Sequence, residues 1–357
     1  MLAVLDPEQE MLAETVRSLA DTIRVTNPCD LEDVDEAKVW RTLAETGLLG
    51  LRRRDGGAPV ASAVEGMIVA QELGAALAPV PFVASGVLAV ELLELAGVGD
   101  EWAEPIAAGT SRPGLLLGST LLDLADIVDP GAVMIGWPGA DYALGLRRAA
   151  GAAHLVKVAA DGFEPAPRTA DLTTPLSVRR AGTDLRSENL GQPISGADLR
   201  RWLALALTLT SADCTGTMRA ALDGVVEYSK VRIAYDVPIG SFQALQHMCA
   251  DAFVFCEGAV TANNYAAWAV DALKPDGALL AARTAKSWTA RLARTVTETV
   301  TQVYGGIGHT WEHVAHLHVR RALLDGTLFG GEAHQLDEIY DLRRSAEVSG
   351  DGGPGAA

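Results

Sequence analysis

Tyr228–Asp251 reads YSKVRIAYDVPIGSFQALQHMCAD. A helical pattern ends near Arg232, and a second one starts at Ser241 or Phe242. Between them lies Tyr235-Asp236-Val237-Pro238-Ile239-Gly240, where Pro238 lacks a backbone donor and Gly240 relaxes the chain. The stretch therefore predicts two helices meeting at a joint, with Arg232 and Gln243 near one corner. A second stretch of similar character is QVYGGIGHTWEHVAHLHVRR, Gln302–Arg321.

Outward from this joint the chain is rich in helical signals. Asp6-Pro7-Glu8-Gln9-Glu10 is a helix start, with Asp6 as cap and Pro7 in the first turn, and Leu12, Val16, Leu19 and Ile23 follow at helical spacing. A second helix is expected over 34–45, stopping at Gly47, and an apolar helix over 61–78. From about Pro105 to Pro193 glycine and proline rise, and short apolar runs at 133–135, 142–144 and 155–158 suit strands between turns. Helices then return, over 199–231 with Asp198 as cap, and over 242–272, 276–304, 311–324 and 333–344. The expected organisation is an N-terminal helical domain (1–105), a reduced β-rich middle domain (106–195), a C-terminal helical bundle (196–345) and a flexible tail (346–357). No internal repeat is present.

With 357 residues the chain can bury a sizeable core. Its formal charge of −17 argues against nucleic acid and against an anionic membrane surface, both of which call for a basic face. Four cysteines without C-x-x-C spacing, and no secretory leader before Asp6, imply reduced thiols in a cytoplasm. No run is long and apolar enough to span a bilayer.

Two spaced elements, Arg232…Tyr235-Asp236…Gln243 and Gln302…Gly305-Gly306…Gly308, resemble the R-x-x-F-G…Q joint and the Q-x-x-G-G-x-G turn of acyl-CoA dehydrogenases. The phrases LAETGLLGL, DGG and VAQELGAALAPVPF look like the N-terminal domain of the same family. The resemblance implies a mainly α fold with a β-rich middle domain. It also implies FAD-dependent α,β-dehydrogenation of an acyl-CoA to its 2,3-enoyl-CoA, in lipid or steroid side-chain catabolism, with electrons passed to an acceptor protein. The pattern is similar to the small subunits of actinobacterial heteromeric (α2β2) members. In such an assembly Arg232, Tyr235, Gln243, Gln302, Gly305 and Gly306 would contact FAD shared with a larger partner subunit. A homo-oligomer acting alone, or a non-catalytic homologue that stabilises a partner, are the other readings.

The catalytic base is the least legible part. Acyl-CoA dehydrogenases remove an α-proton with a positioned carboxylate, in many members as E-G-T in the loop after an R-R-A or R-D-A helix. Here the segment is Leu328-Phe329-Gly330-Gly331-Glu332-Ala333, which makes Glu332 the candidate, a residue or two out of register. A carboxylate that merely opens a helix is the plainer account of the same residue. The family's alternative base position falls near Ala206, where no acid exists. The T-E-P-x-x-G-S-D-like stretch and the G-x-K-x-x-I-like strand that usually support the flavin ring are absent between Gly109 and Asp184. His309-Thr310-Trp311-Glu312-His313 fits the H-x-x-E-H zinc signature, and on a helix the two histidines would share a face. It follows a glycine turn directly, so a hydrogen-bonded helix start is expected there and no metal.

Overall fold

The computed structural model describes residues 5–348 apart from 128, 130, 150 and 168. Five helices form the first part: α1 (Pro7–Asp21), α2 (Glu36–Glu45), α3 (Ala63–Ala75), α4 (Ala89–Leu95) and α5 (Gly99–Ala107). Their starts follow from capping chemistry. Asp6 accepts the backbone N–H groups of Glu8 and Gln9 at 3.0 and 2.9 Å, and Ser62 with Glu65 forms a reciprocal capping box at α3. Two short pairs of residues, β1 (Arg54–Asp55) and β2 (Ala58–Pro59), make a hairpin between α2 and α3. A π-helical segment, Phe82–Leu88, runs directly into α4.

The middle of the chain builds one seven-stranded sheet from β3 (Pro113–Leu117), β4 (Val133–Ile135), β5 (Tyr142–Ala149), β6 (Ala152–Ala159), β7 (Phe163–Pro165), β8 (Leu176–Arg179) and β9 (Ser187–Ile194). The order across the sheet is β7-β8-β4-β3-β5-β6-β9, antiparallel throughout except for the parallel β3–β5 pair. β5 and β6 are longer than their apolar runs suggested, because strand pairing continues past the buried residues to exposed Arg148 and Ala149.

Helix α6 (Gly196–Val231) is the axis of the rest. Its cap is Ser195, whose Oγ accepts the N–H of Asp198 at 3.1 Å. Asp198, expected as the cap, instead sits in the first turn and accepts a hydrogen bond from the Ser195 hydroxyl. Around α6 pack α7 (Gln243–Ala272), α8 (Pro275–Tyr304) and α9 (Ala315–Thr327), and α10 (Glu332–Val348) lies on α8. Of the tail expected at 346–357, residues 346–348 belong to α10 and the remainder lies outside the described residues. The fold is thus mainly helical around one mixed sheet, as the sequence implied.

The joint after α6 differs from a plain break. β10 (Ile233–Ala234) and β11 (Val237–Pro238) pair antiparallel, and Tyr235 and Asp236 form the two-residue tip with φ of 54° and 64°. Two successive left-handed residues are the geometry of a type I′ turn, the one whose twist suits a tight hairpin. Asp236 occupies it at some cost in backbone strain, since Asp tolerates this region better than most residues but less well than Gly.

Candidate functional site

α6, α7 and α8 run alternately, so the C-terminus of α6, the N-terminus of α7 and the C-terminus of α8 meet at one end of the bundle. The rings of Tyr228 and Tyr304, 5.0 Å apart, fasten that end. Arg232 caps α6 there; its backbone carbonyl accepts the N–H of Ile239 at 2.8 Å and so closes the hairpin base. Its guanidinium is exposed and has no hydrogen bond or ion pair among the described residues. Gln243 opens α7, also exposed, and Tyr235 stands 91% exposed at the hairpin tip. Across the end, Gln302 is exposed one turn before Gly305. Gly305 ends α8 at φ 66° and ψ −141°, a conformation open to glycine alone in practice. Neither Gly305 nor Gly306 has any atom within 4 Å of the place a Cβ would take. The Tyr228–Tyr304 contact places Arg232 and the Gly305-Gly306 turn at the same end of the bundle, and a guanidinium and free backbone N–H groups are the kinds of donor that phosphate oxygens accept from.

Glu332 is placed elsewhere. It opens α10, with its side chain 40% exposed and 3.8 Å from Arg291. Arg291 precedes Tyr304 by thirteen residues of α8, which at 1.5 Å per residue puts Glu332 about 20 Å from the glycine turn. The carboxylate is thus partly open to solvent and next to a guanidinium.

The histidine segment is not arranged as a helix face. Gly305–His309 is a 3-10 turn and α9 begins only at Ala315, so His309 and His313 lie outside it. His313 accepts the N–H of Ala315 through Nδ1 at 3.1 Å and its ring meets Tyr304 edge-on at 4.4 Å. His316 stacks on Trp311 at 5.1 Å. Among the described residues no group of three or more His, Cys, Asp or Glu side chains is placed to hold a metal ion.

A second feature was not anticipated from the sequence. Where α6, α9, the sheet and the π-helical segment converge, Phe82, Leu88, Leu115, Ile135, Leu328 and Phe329 enclose a small apolar pocket. Its polar end is a buried network. Arg321 grips both carboxylate oxygens of Asp213 through Nε and Nη2, each at 2.7 Å. Its Nη1 also donates to the carbonyl of Ala78 and the hydroxyl of Thr173, each at 3.0 Å. Asp325 lies beside this pair with Oδ2 unpartnered; burial first, and then the charge of Asp213, push its carboxyl well above the ordinary range. Buried Lys286 donates to the backbone carbonyl of Asp325, and burial pulls its ammonium down to about 8. Asp213 and Arg321 are 108 residues apart, and only a charged residue in the middle of an otherwise apolar helical run hinted at the pair.

Comparison with known proteins places this geometry in a family. Residues 6–108 match the N-terminal domain model and residues 203–341 the C-terminal domain model of acyl-CoA dehydrogenases. The chain belongs to the acyl-CoA dehydrogenase family. It is 30% identical to acyl-CoA dehydrogenase FadE34 of Mycobacterium tuberculosis (strain H37Rv) over 97% of this chain, which spans 49% of that protein's length. It is 29% identical to acyl-CoA dehydrogenase IpdE2 of Mycolicibacterium smegmatis, covering 94% of this chain and 98% of that one. Among solved structures, the Tcur3481-Tcur3483 steroid ACAD superposes with a TM-score of 0.78 at 20% identity, over 96% of this chain and 99% of that one, and so shares the fold.

Proposed function

We propose that this chain is one subunit of an FAD-dependent acyl-CoA dehydrogenase of unlike subunits, acting on an acyl-CoA from lipid or steroid side-chain breakdown. The observation that carries the reading is the exposed, unpaired Arg232 at the same end of the bundle as the open Gly305-Gly306 turn. These residues fit the diphosphate end of FAD, and because they face outward a second chain is needed to cover the rest of the dinucleotide. Arg232 binds phosphate, while Gln243, Gln302 and Tyr235 flank it. FAD, when bound, supplies the hydride acceptor for α,β-dehydrogenation. The α-proton goes to a carboxylate of the partner subunit, since Glu332 is half-exposed and ion-paired. The names of the relatives support the reaction class, and the paired chains of the Tcur3481-Tcur3483 steroid ACAD support both the two-chain assembly and the steroid setting.

The test is flavin content. The chain purified alone should be colourless or insoluble, and co-expression with a larger acyl-CoA dehydrogenase subunit of the same organism should yield a yellow complex. Stoichiometric FAD in a homo-oligomer of this chain would instead establish a self-sufficient enzyme.

A further inference from the structure

We infer that His313 and His316 form an acid-released latch on the Gly305–His309 turn, which holds its shape only while both imidazoles are neutral. That a released turn also lets go of flavin rests on the cofactor reading above; the latch itself does not.

The segment between the turn and α9 is held by a few ties in series. The Thr310 N–H donates to the Ile307 carbonyl at 3.1 Å, the His313 N–H to the Thr310 carbonyl at 3.3 Å, and the Ala315 N–H to His313 Nδ1 at 3.1 Å. The last is one of the orphan donors at the start of α9, where the cap residue Val314 makes no side-chain bond. The His313 ring also rests edge-on at 4.4 Å from Tyr304, the last residue of α8 before Gly305. His316 ties the segment from the helix side. Its Nε2 donates to the Trp311 carbonyl at 2.9 Å, and its Nδ1 accepts from Arg320 Nε at 3.3 Å.

Each Nδ1 is thus spent as an acceptor, and an imidazolium has no acceptor to offer. A proton on His313 would set two N–H groups against each other. One on His316 would do the same and place a second positive charge beside Arg320. Both charges would also stand at the positive end of α9. The surroundings offer no compensation. Tyr304 faces His313 from α8, with Tyr228 of α6 behind it. His318 on α9 and Arg24 after α1 complete the basic cluster. The nearby acids are engaged elsewhere: Asp171 by Thr173 and Thr174, Asp30 by Thr26 and Asn27, and Asp213 by Arg321. His309 and Glu312, on the segment itself, are exposed. Among the described residues no carboxylate is ion-paired with either ring. Burial first, and then the charge of His316, hold His313 below the ordinary imidazole range. Once released, each ring takes up a proton near pH 6.5. The closed turn is therefore fully favoured above that pH and loses ground below it. For one ring the opening equilibrium should shift about tenfold between pH 7.5 and 5.5.

Amide hydrogen exchange in the assembled protein tests the latch. Corrected for intrinsic rates, peptides covering Gly305–Thr310 should open about tenfold or more further at pH 5.5 than at 7.5, while those of β5 and β6 stay level. His313→Asn with His316→Asn puts an amide oxygen in place of each Nδ1, one that takes up no proton in this range, so the pH response should vanish. An equal response in the double variant, or a rise of the same size in β5 and β6, would overturn the inference. Should the double variant fail to fold, His313→Asn alone serves: its response should be smaller than that of the wild type, and an equal one overturns the latch. Flavin supplies the second measurement. FAD retained by the complex through gel filtration should drop between pH 7.5 and 5.5 in the wild type and hold in the double variant. Opening of the turn without loss of flavin would overturn the link to the cofactor. Failure to obtain flavin with any partner would count against the subunit reading instead, with the exchange experiment still deciding the latch.

Discussion

Arg232 and Arg321 carry the same side chain into opposite settings. Arg232 is exposed and uncommitted, so what it contributes depends on a ligand. Replacing it with Ala removes a charge-assisted phosphate contact worth about 1.5–3 kcal/mol, and FAD affinity of the complex should fall about ten- to a hundredfold. Circular dichroism should stay unchanged. Equal FAD retention at matched salt would return Arg232 to the plain surface. Glu332 gives the complementary expectation. A lost general base costs about 10²–10⁴-fold in rate, whereas Glu332→Gln in the assembled complex should leave turnover within a few-fold of wild type. The assay is reduction of an artificial electron acceptor at equal flavin content, and a collapse there would show that this chain supplies the base.

At the scale of elements, the sequence announced helices better than it announced how they meet. Asp6, Ser62 and Pro275 mark their helix starts by local chemistry, which a linear reading can see. The tight crossing of α3 and α6 is a different matter. A Cβ on Gly216 would lie 1.9 Å from the carbonyl oxygen of Gln71, and one on Gly74 would lie 2.2 Å from that of Asp213. Nothing in either glycine's neighbourhood along the chain distinguishes it from a helix-weakening accident. Gly216→Ala must push two helix backbones apart and should cost about 1–3 kcal/mol, lowering the urea midpoint of the complex. A midpoint equal to wild type would mean that the crossing relaxes freely. The Tyr235-Asp236 tip was hidden for a related reason. Type I′ turns are recognised by Asn-Gly or Asp-Gly, and Tyr-Asp carries no such signal. Strand order in the sheet was likewise out of reach, since the β3–β4 and β4–β8 pairings join segments that no local pattern relates.

For the whole molecule, acid stability should be governed in part by His318. Burial, followed by the nearby charges of Arg24, His313 and His316, lowers its folded pKa to about 3. The unfolded chain would take up a proton near 6.5, so between roughly pH 6.5 and 3 the unfolded state binds more protons. Stability is therefore full above pH 6.5 and falls as the pH drops through this window, by about 2 kcal/mol at pH 5 from this group alone. Urea midpoints of the complex between pH 7.5 and 5 should decline, and His318→Gln should decline less steeply. Parallel slopes for the two proteins would assign the acid sensitivity to other groups. The family itself was legible because its two signatures are short and local, at Arg232–Gln243 and Gln302–Gly308. The apolar pocket was not, because Phe82, Leu115 and Phe329 meet only through the tertiary fold.

The grip of Arg321 has a consequence for how the molecule breathes. One buried guanidinium holds Ala78 after α3, Thr173 before β8 and Asp213 within α6. Freeing the α6 segment strands a charge in an apolar interior, a cost of about 3–5 kcal/mol, and freeing Ala78 or Thr173 leaves a buried guanidinium hydrogen bond unmade, a cost of about 1.5–3 kcal/mol. Local openings that would normally let separate parts of a chain trade amide protons with solvent on their own schedules are thereby coupled. Amides of α3, of α6 near Asp213 and of β8 should exchange deuterium with a common free energy of opening. In Arg321→Met, which leaves Asp213 without its partner, those three groups should separate into distinct classes. Early exchange of β8 alone in the wild type would show that the tie at Thr173 does not bind the sheet to the helices.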